Sequence, residues 1–281
     1  MTVRTPSPSP LTALPPLRDV IQRFGLDAKR RLGQHFLLDA NLTGRIVRTA
    51  GPLAGVNVIE VGPGPGGLTR SLLASNAATV IAIEKDPRCV AALQELATVF
   101  PDRLTIVEAD ALEIDCRTLA PPPRAIIANL PYNVGTPLLL NWLREAGDYA
   151  GFTLMFQKEV AARLTALPGA ADYGRLSIIT RWRTEPYYQF TIDPRAFTPP
   201  PRVTSAVVTL VPRATPLAPA TWEALERVTA AAFGQRRKML RSSLRALGID
   251  PSEAAIDPTR RAEELSVEEF CALARLLAAE S

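Results

Sequence analysis

Residues 125–137 read AIIANLPYNVGTP, an apolar run of the kind that forms a buried strand, stopped by Asn129-Leu130-Pro131-Tyr132. In succession these present an amide, a backbone carbonyl, a rigid ring and an aromatic face. That set could hold the exocyclic amine of a nucleobase. Such an amine is a poor nucleophile, because its lone pair is delocalised into the base. The Asn129 side-chain oxygen and the Leu130 carbonyl could accept its two N–H bonds. Pro131 stiffens the turn and has no N–H to compete, and Tyr132 could stack on the unpaired base. Alignment with an electrophile would then lower the barrier, with no general base obligatory. Taken alone, the motif leaves open a simple turn with a core tyrosine.

A second group lies upstream, in Glu60-Val61-Gly62-Pro63-Gly64-Pro65-Gly66-Gly67. Glycines between a strand and a helix let the backbone turn tightly and approach a ligand. Two prolines interrupt this loop and Glu60 precedes it, which disfavours phosphate and suits a cationic ligand. Glu84 follows roughly 20 residues later, at the end of the next strand, where a carboxylate can accept both ribose hydroxyls of an adenosine. That fits NAD and S-adenosylmethionine equally. Asp110, at the end of the third strand, could accept from an adenine amine, and the three strand-end acids together favour a nucleoside cofactor without phosphates. S-adenosylmethionine is the expected cofactor. An NAD dehydrogenase lacks both the phosphate-friendly loop and a hydride-transfer constellation.

These residues need a scaffold of alternating strands and helices, and the chain supplies one from about residue 56. VNVIEV, TVIAIEKD, LTIVEAD and RAIIANLPY read as strands, and DPRCVAALQELATVF as a helix. GFTLMFQ, LSIITRW and SAVVTLV read as further strands, the last of them a candidate for antiparallel pairing. The fold expected is α/β, a Rossmann-like doubly wound sheet with a small all-helical C-terminal domain. Residues 1–27, rich in Pro, Ser and Thr, read as a flexible tail. Residues 28–213 read as the catalytic domain and 214–281 as a helical RNA-binding domain.

The composition narrows the classes. With 281 residues and 47% hydrophobic content, the chain suits one large domain, or one with a small appendage. No apolar run approaches the roughly 20 residues of a membrane span, so a soluble protein is expected. The cysteines Cys89, Cys116 and Cys271 are scattered without CxxC spacing, and His35 is the only histidine. A disulfide framework and a metal site are therefore not expected, and a reducing, cytoplasmic setting is. A net charge of +4 is compatible with a polyanion. Basic residues cluster at Lys29-Arg30-Arg31 and at Gln235-Arg236-Arg237-Lys238 with Arg241 and Arg245; on a helix the second group would place several charges near one face.

GQHFLLD, EVGPGPGGLT, IEKD, EADAL and NLPYN occur here in the order found in the ribosomal RNA adenine dimethyltransferase family, which the chain resembles over roughly residues 28–248. FTPPPRVTSAVV and FGQRRKMLRSSL extend the resemblance, most closely to the bacterial branch that acts on small-subunit 16S rRNA. The resemblance implies dimethylation at N6 of two adjacent adenines near the 3′ end of 16S rRNA, within an immature small subunit, by a monomer. It implies cofactor contacts at His35, Leu37, Gly62, Gly64, Glu84, Asp110 and Asn129. Tyr132 would stack on the target adenine, Phe197 would close over its other face, and Arg30, Arg31, Arg236, Arg237, Lys238 and Arg241 would meet RNA. The family often has Asn where this chain has His35, whose ring can still donate or accept a hydrogen bond. The alternatives are the branch that methylates 23S rRNA in macrolide resistance, and a non-catalytic assembly or nucleic-acid-binding factor on the same fold.

Overall fold

A computed structural model describes residues 10–26, 35–235 and 237–279. In chain order the helices and strands are α1 (Leu17–Arg23), β1 (Phe36–Leu37), α2 (Ala40–Thr49), β2 (Asn57–Val61), α3 (Gly67–Ala74) and β3 (Thr79–Glu84). α4 (Pro87–Val99), β4 (Leu104–Glu108), β5 (Arg124–Asn129), α5 (Gly135–Arg144), β6 (Gly151–Gln157) and α6 (Lys158–Thr165) follow. The rest are α7 (Arg175–Arg183), β7 (Thr184–Ile192), β8 (Phe197–Thr198), β9 (Ser205–Pro212), α8 (Trp222–Gly234), α9 (Leu240–Ser243) and α10 (Val267–Ala279).

Seven strands form one sheet in the order β4-β3-β2-β5-β6-β9-β7. The first five run parallel, and β9 pairs antiparallel with both β6 and β7. Order reverses between β2 and β5, so the crevice at their carboxyl ends is where a ligand is expected. Alternate residues of each strand serve opposite layers. Val58, Val80 and Ile127 pack under α2, α3 and α4, whereas Ile59, Ile81 and Ile126 pack under α5. Helices on both faces explain why these strands are continuously apolar.

The second layer continues without a break into the C-terminal helices. Trp142 and Leu143 of α5, Ile178 and Trp182 of α7, Leu225 and Val228 of α8 and Phe270 of α10 belong to one buried cluster. The Tyr173 hydroxyl also donates to the Leu265 carbonyl at 2.9 Å.

Three sequence expectations are corrected. LSIITRW lies in helix α7, where Ser177, Ile178, Ile179, Thr180 and Trp182 are all buried. A short apolar run enclosed on all sides has no periodicity to tell helix from strand. The missing strand is TEPYYQFTI, β7, which tolerates Pro186 because it is the sheet edge. Within the expected tail, residues 10–26 carry a 3₁₀ turn and α1, and Val20 and Leu26 are buried with Phe36, Cys89 and Ala92. Two such side chains contribute about 1.5–3 kcal/mol each, enough to hold the segment down.

The third correction concerns the basic stretch. α8 ends at Gly234, Met239 bridges to Arg261, and α9 starts only at Leu240. Arg237 and Lys238 therefore lie in a turn and Arg241 on α9, all exposed, and they do not share one helical face. Arg30, Arg31 and Arg236 lie outside the described residues.

Candidate active site

The carboxyl ends of β2, β3 and β5, the turn after β4 and strand β1 border one cleft. Its lining includes His35, Leu37, Gly62, Gly64, Glu84, Asp110, Asn129, Leu130, Pro131 and Tyr132. Ten of the residues expected at the site thus meet in one cavity.

The glycine turn is built for close approach. Gly62, Gly64 and Gly66 have φ of 68°, 56° and 90°, in the left-handed region that side chains disfavour. A Cβ at Gly64 would stand 2.8 Å from the Phe36 ring, and one at Gly62 would stand 3.4 Å from Pro131. The loop after β2 and the loop after β5 therefore touch. Glu84 ties the turn to β3. Its Oε2 accepts the Gly64 N–H at 3.1 Å, and its Oε1 accepts the N–H groups of Lys85 and Asp86 at 2.9 Å each. Burial nonetheless pushes its carboxyl above the usual range, with those backbone donors working against the rise.

Glu60 is more deeply placed, at 1% exposure, with one charge-neutral partner: the Thr69 hydroxyl donates to its Oε2 at 2.6 Å. Desolvation pushes its pKa from an ordinary 4.5 to about 8. The unfolded carboxyl ionises above pH 4.5 while the folded one keeps its proton to about 8, so Glu60 costs stability progressively across that window. The total cost is on the order of several kcal/mol. Glu60→Gln should remove this slope, so urea unfolding should favour the variant over wild type more at pH 8 than at pH 5. Equal differences at both values would contradict the assignment.

Asp110 lies two residues beyond β4 and is partly exposed. Its Oδ1 accepts from the Leu112 N–H at 3.0 Å and its Oδ2 from Lys85 Nζ at 3.3 Å. The Leu112 bond leads in holding its carboxyl below the ordinary value. A carboxylate has further lone pairs, so an adenine amine remains within its capacity.

At the end of β5 the Asn129 amide is oriented by its neighbour. Its Nδ2 donates to the His35 carbonyl at 3.2 Å. A carbonyl can only accept, so Oδ1 is the atom left for a ligand. The Leu130 side chain is buried at 2% exposure, which anchors the turn, and the residue borders the cleft. The Tyr132 hydroxyl and Ser205 Oγ lie 2.5 Å apart, and burial raises the phenol's pKa.

Phe197 is placed differently from expectation. It is 3% exposed, packs in the layer with Leu37 and Val207, and is not part of the cleft lining. The reason is the two-stranded ribbon β1–β8, in which Leu37 pairs with Phe197 and draws its ring inward. The ring beside Tyr132 is instead His35, with centroids 5.8 Å apart, and Phe197 meets His35 edge-on at 6.4 Å. His35 Nδ1 lies 2.8 Å from the Pro199 carbonyl, which requires the proton on that nitrogen. Sequence reasoning overlooked Thr69, Lys85 and Ser205. Thr69 and Ser205 do stand inside the motifs EVGPGPGGLT and TSAVV, yet no spacing marks their partners.

The cavity fits a nucleoside cofactor that carries positive charge. The positive-φ turn at Gly62 and Gly64 brings backbone to its wall, and Glu84 and Asp110 line it against Lys85, the one Lys or Arg among its described lining residues. Among the described residues, no group of three or more His, Cys, Asp or Glu side chains could hold a metal ion. No described helix is long and apolar enough to cross a membrane.

Sheet order, glycine turn and strand-end acids define a Rossmann-like methyltransferase. The family model for ribosomal RNA adenine dimethylase matches residues 25–279, and the chain belongs to that family. It is 60% identical over 270 residues to the ribosomal RNA small subunit methyltransferase A of Rhodospirillum rubrum, covering 95% of this chain and 94% of that protein. The protein of the same name from Paramagnetospirillum magneticum is 61% identical over 267 residues, covering 94% and 95%. A dimethyladenosine transferase from Plasmodium falciparum shares the fold, with TM-score 0.74 at 22% identity over 88% of this chain and 98% of that one. The 23S rRNA methyltransferase ErmE aligns with TM-score 0.65 at 29% identity over 86% and 99%.

Proposed function

We propose that this enzyme transfers methyl groups from S-adenosylmethionine to N6 of two adjacent adenines near the 3′ end of 16S rRNA, dimethylating each during small-subunit assembly. The observation that carries the chemistry is the Asn129 amide at the cleft, whose Nδ2 donates to the His35 carbonyl and whose oxygen is thereby left for a ligand.

The cofactor would be held by the glycine turn at Gly62 and Gly64, by Glu84 and Asp110, and by the segment His35–Leu37, and it supplies an electrophilic methyl group. Asn129 Oδ1 and the Leu130 carbonyl accept the two N–H bonds of the adenine amine and orient its lone pair. As positive charge develops on that nitrogen, the same two oxygens strengthen their hydrogen bonds, which is selective support for the transition state. Pro131, held against Gly62, fixes the distance between the two loops. Tyr132, tethered through Ser205, offers a face to the extruded base. A second face would come from His35 where it stands, or from Phe197 after rotation out of the core. The proton leaves to water after transfer, so no buried base is needed.

Relatives at 60–61% identity carry the small-subunit name, whereas ErmE stands at 29%, and this favours 16S over 23S rRNA. Arg237, Lys238 and Arg241 are exposed and suited to phosphates, and we place the enzyme in the cytoplasm as a monomer. Mass spectrometry of rRNA treated with purified protein and labelled cofactor tests the reading, with naked 16S rRNA, naked 23S rRNA and immature small subunits offered side by side. Two adjacent dimethyladenines in 16S rRNA are expected; label in 23S rRNA alone, or none, would overturn it.

A further inference from the structure

We propose that a second cavity, beside ribbon β1–β8 and bordering the cleft at Gly67, is a track for the RNA phosphates flanking the target adenines. The proposal rests on the rRNA reading above and adds a binding surface to it. The groove lies between α2, α3, the turn before β8 and the start of α1 with the segment preceding it, and holds about 960 Å³. That lies at the upper end of the roughly 300–1,000 Å³ range of small-ligand pockets, so the choice of occupant rests on charge.

Its charge is one-sided. Arg18, Arg48, Arg70 and Arg195 line it, against the single acid Asp39. Asp39 is committed to capping α2, accepting the Asn41 N–H at 2.8 Å. Arg195 is paired with Asp193 at 2.9 Å and adds little net charge. Arg18 and Arg48 are exposed, and their side chains make no hydrogen bond or ion pair with other described residues. Arg70 joins the walls: its guanidinium donates to the Pro15 carbonyl at 2.7 Å, while its buried Nε has no partner. Guanidinium groups left unpaired beside a wide groove match phosphate oxygens in fork geometry.

The groove also begins where the strand would leave the active site. Gly67 lines both cavities, and Thr198 lines the groove next to Pro199, whose carbonyl meets His35, the ring beside Tyr132. A nucleotide inserted beside Tyr132 brings its neighbours' phosphates to that edge. An acidic protein segment could meet the same charges, but adjacency to the base site favours the RNA strand.

Single-stranded RNA contributes about 0.7 to the salt slope of binding for each phosphate neutralised. R18Q/R48Q should therefore lower the slope of log Kd against log salt for naked 16S rRNA by about 1.4. Affinity at low salt should fall about tenfold or more, with cofactor affinity unchanged. R18K/R48K should recover most of the slope. As a charge control, R117Q/R144Q removes two arginines that are ion-paired outside the groove. A wild-type slope and affinity in R18Q/R48Q, or an equal loss in the control, would overturn the track. These are binding measurements, so they report even if wild type fails to methylate 16S rRNA, the result that would instead overturn the proposed function.

Discussion

Asn129→Ala is expected to lower the single-turnover methylation rate by about 10²–10³ or more, the scale for losing one preorganised hydrogen-bonding group at a site of developing charge. The amide does two things. Its Nδ2 donates to the His35 carbonyl at 3.2 Å and so joins β5 to the start of β1, and its Oδ1 is left to accept from the adenine amine in the mechanism we propose. Alanine removes both, yet leaves the turn anchored by Leu130, which is 2% exposed. RNA affinity should stay near wild type, because base extrusion and phosphate contacts do not depend on the amide. The loss should fall on the chemical step rather than on KM for RNA. Asn129→Asp separates the two roles. It keeps an acceptor but loses the donor, and it sets a carboxylate against the His35 carbonyl. It should retain a part of the rate that Ala loses. Normal turnover by Asn129→Ala, measured with saturating cofactor, would defeat the mechanism.

The parallel half of the sheet was legible because its strands are buried on both faces and end in residues with chemical roles. Val58-Ile59-Glu60 and Ile126-Ile127 serve opposite layers, and such runs read as strands with little ambiguity. Glu84 and Asp110 were read from their carboxylates at strand ends and Asn129 from its amide in NLPY, and each stands at or just beyond a strand end beside the switch in strand order. What escaped depends on partners distant in sequence. The β1–β8 ribbon joins residue 36 to residue 198, and it decides that His35 rather than Phe197 stands beside Tyr132. α7 and β7 were misread together, because a buried helix and an edge strand with Pro186 each depart from the local pattern. The tail was misread because its prolines dominate its composition, while its anchoring rests on Val20 and Leu26 finding Phe36 and Cys89.

Gly67→Ala is expected to be the most damaging change in the glycine turn, although its φ is not among the positive ones and the sequence singled out Gly62 and Gly64 instead. A Cβ at Gly64 would meet the Phe36 ring at 2.8 Å, a side chain that can tilt. A Cβ at Gly67 would lie 2.3 Å from the backbone carbonyl oxygen of Leu37. No rotamer relieves that contact, so β1 or the start of α3 must move. Overpacking of this kind costs about 1–3 kcal/mol. The functional loss should be larger than the stability loss. β1 carries His35 and Leu37 into the cleft, holds the Asn129 amide through the His35 carbonyl, and pairs with β8 beside the groove. Displacing it should weaken S-adenosylmethionine binding at least tenfold by calorimetry and weaken transfer further through misalignment of Asn129. Gly147→Ala, with nothing within 4 Å of its Cβ, controls for loss of backbone freedom. A Gly67→Ala protein that binds cofactor as wild type does would show that β1 does not hold the cleft together.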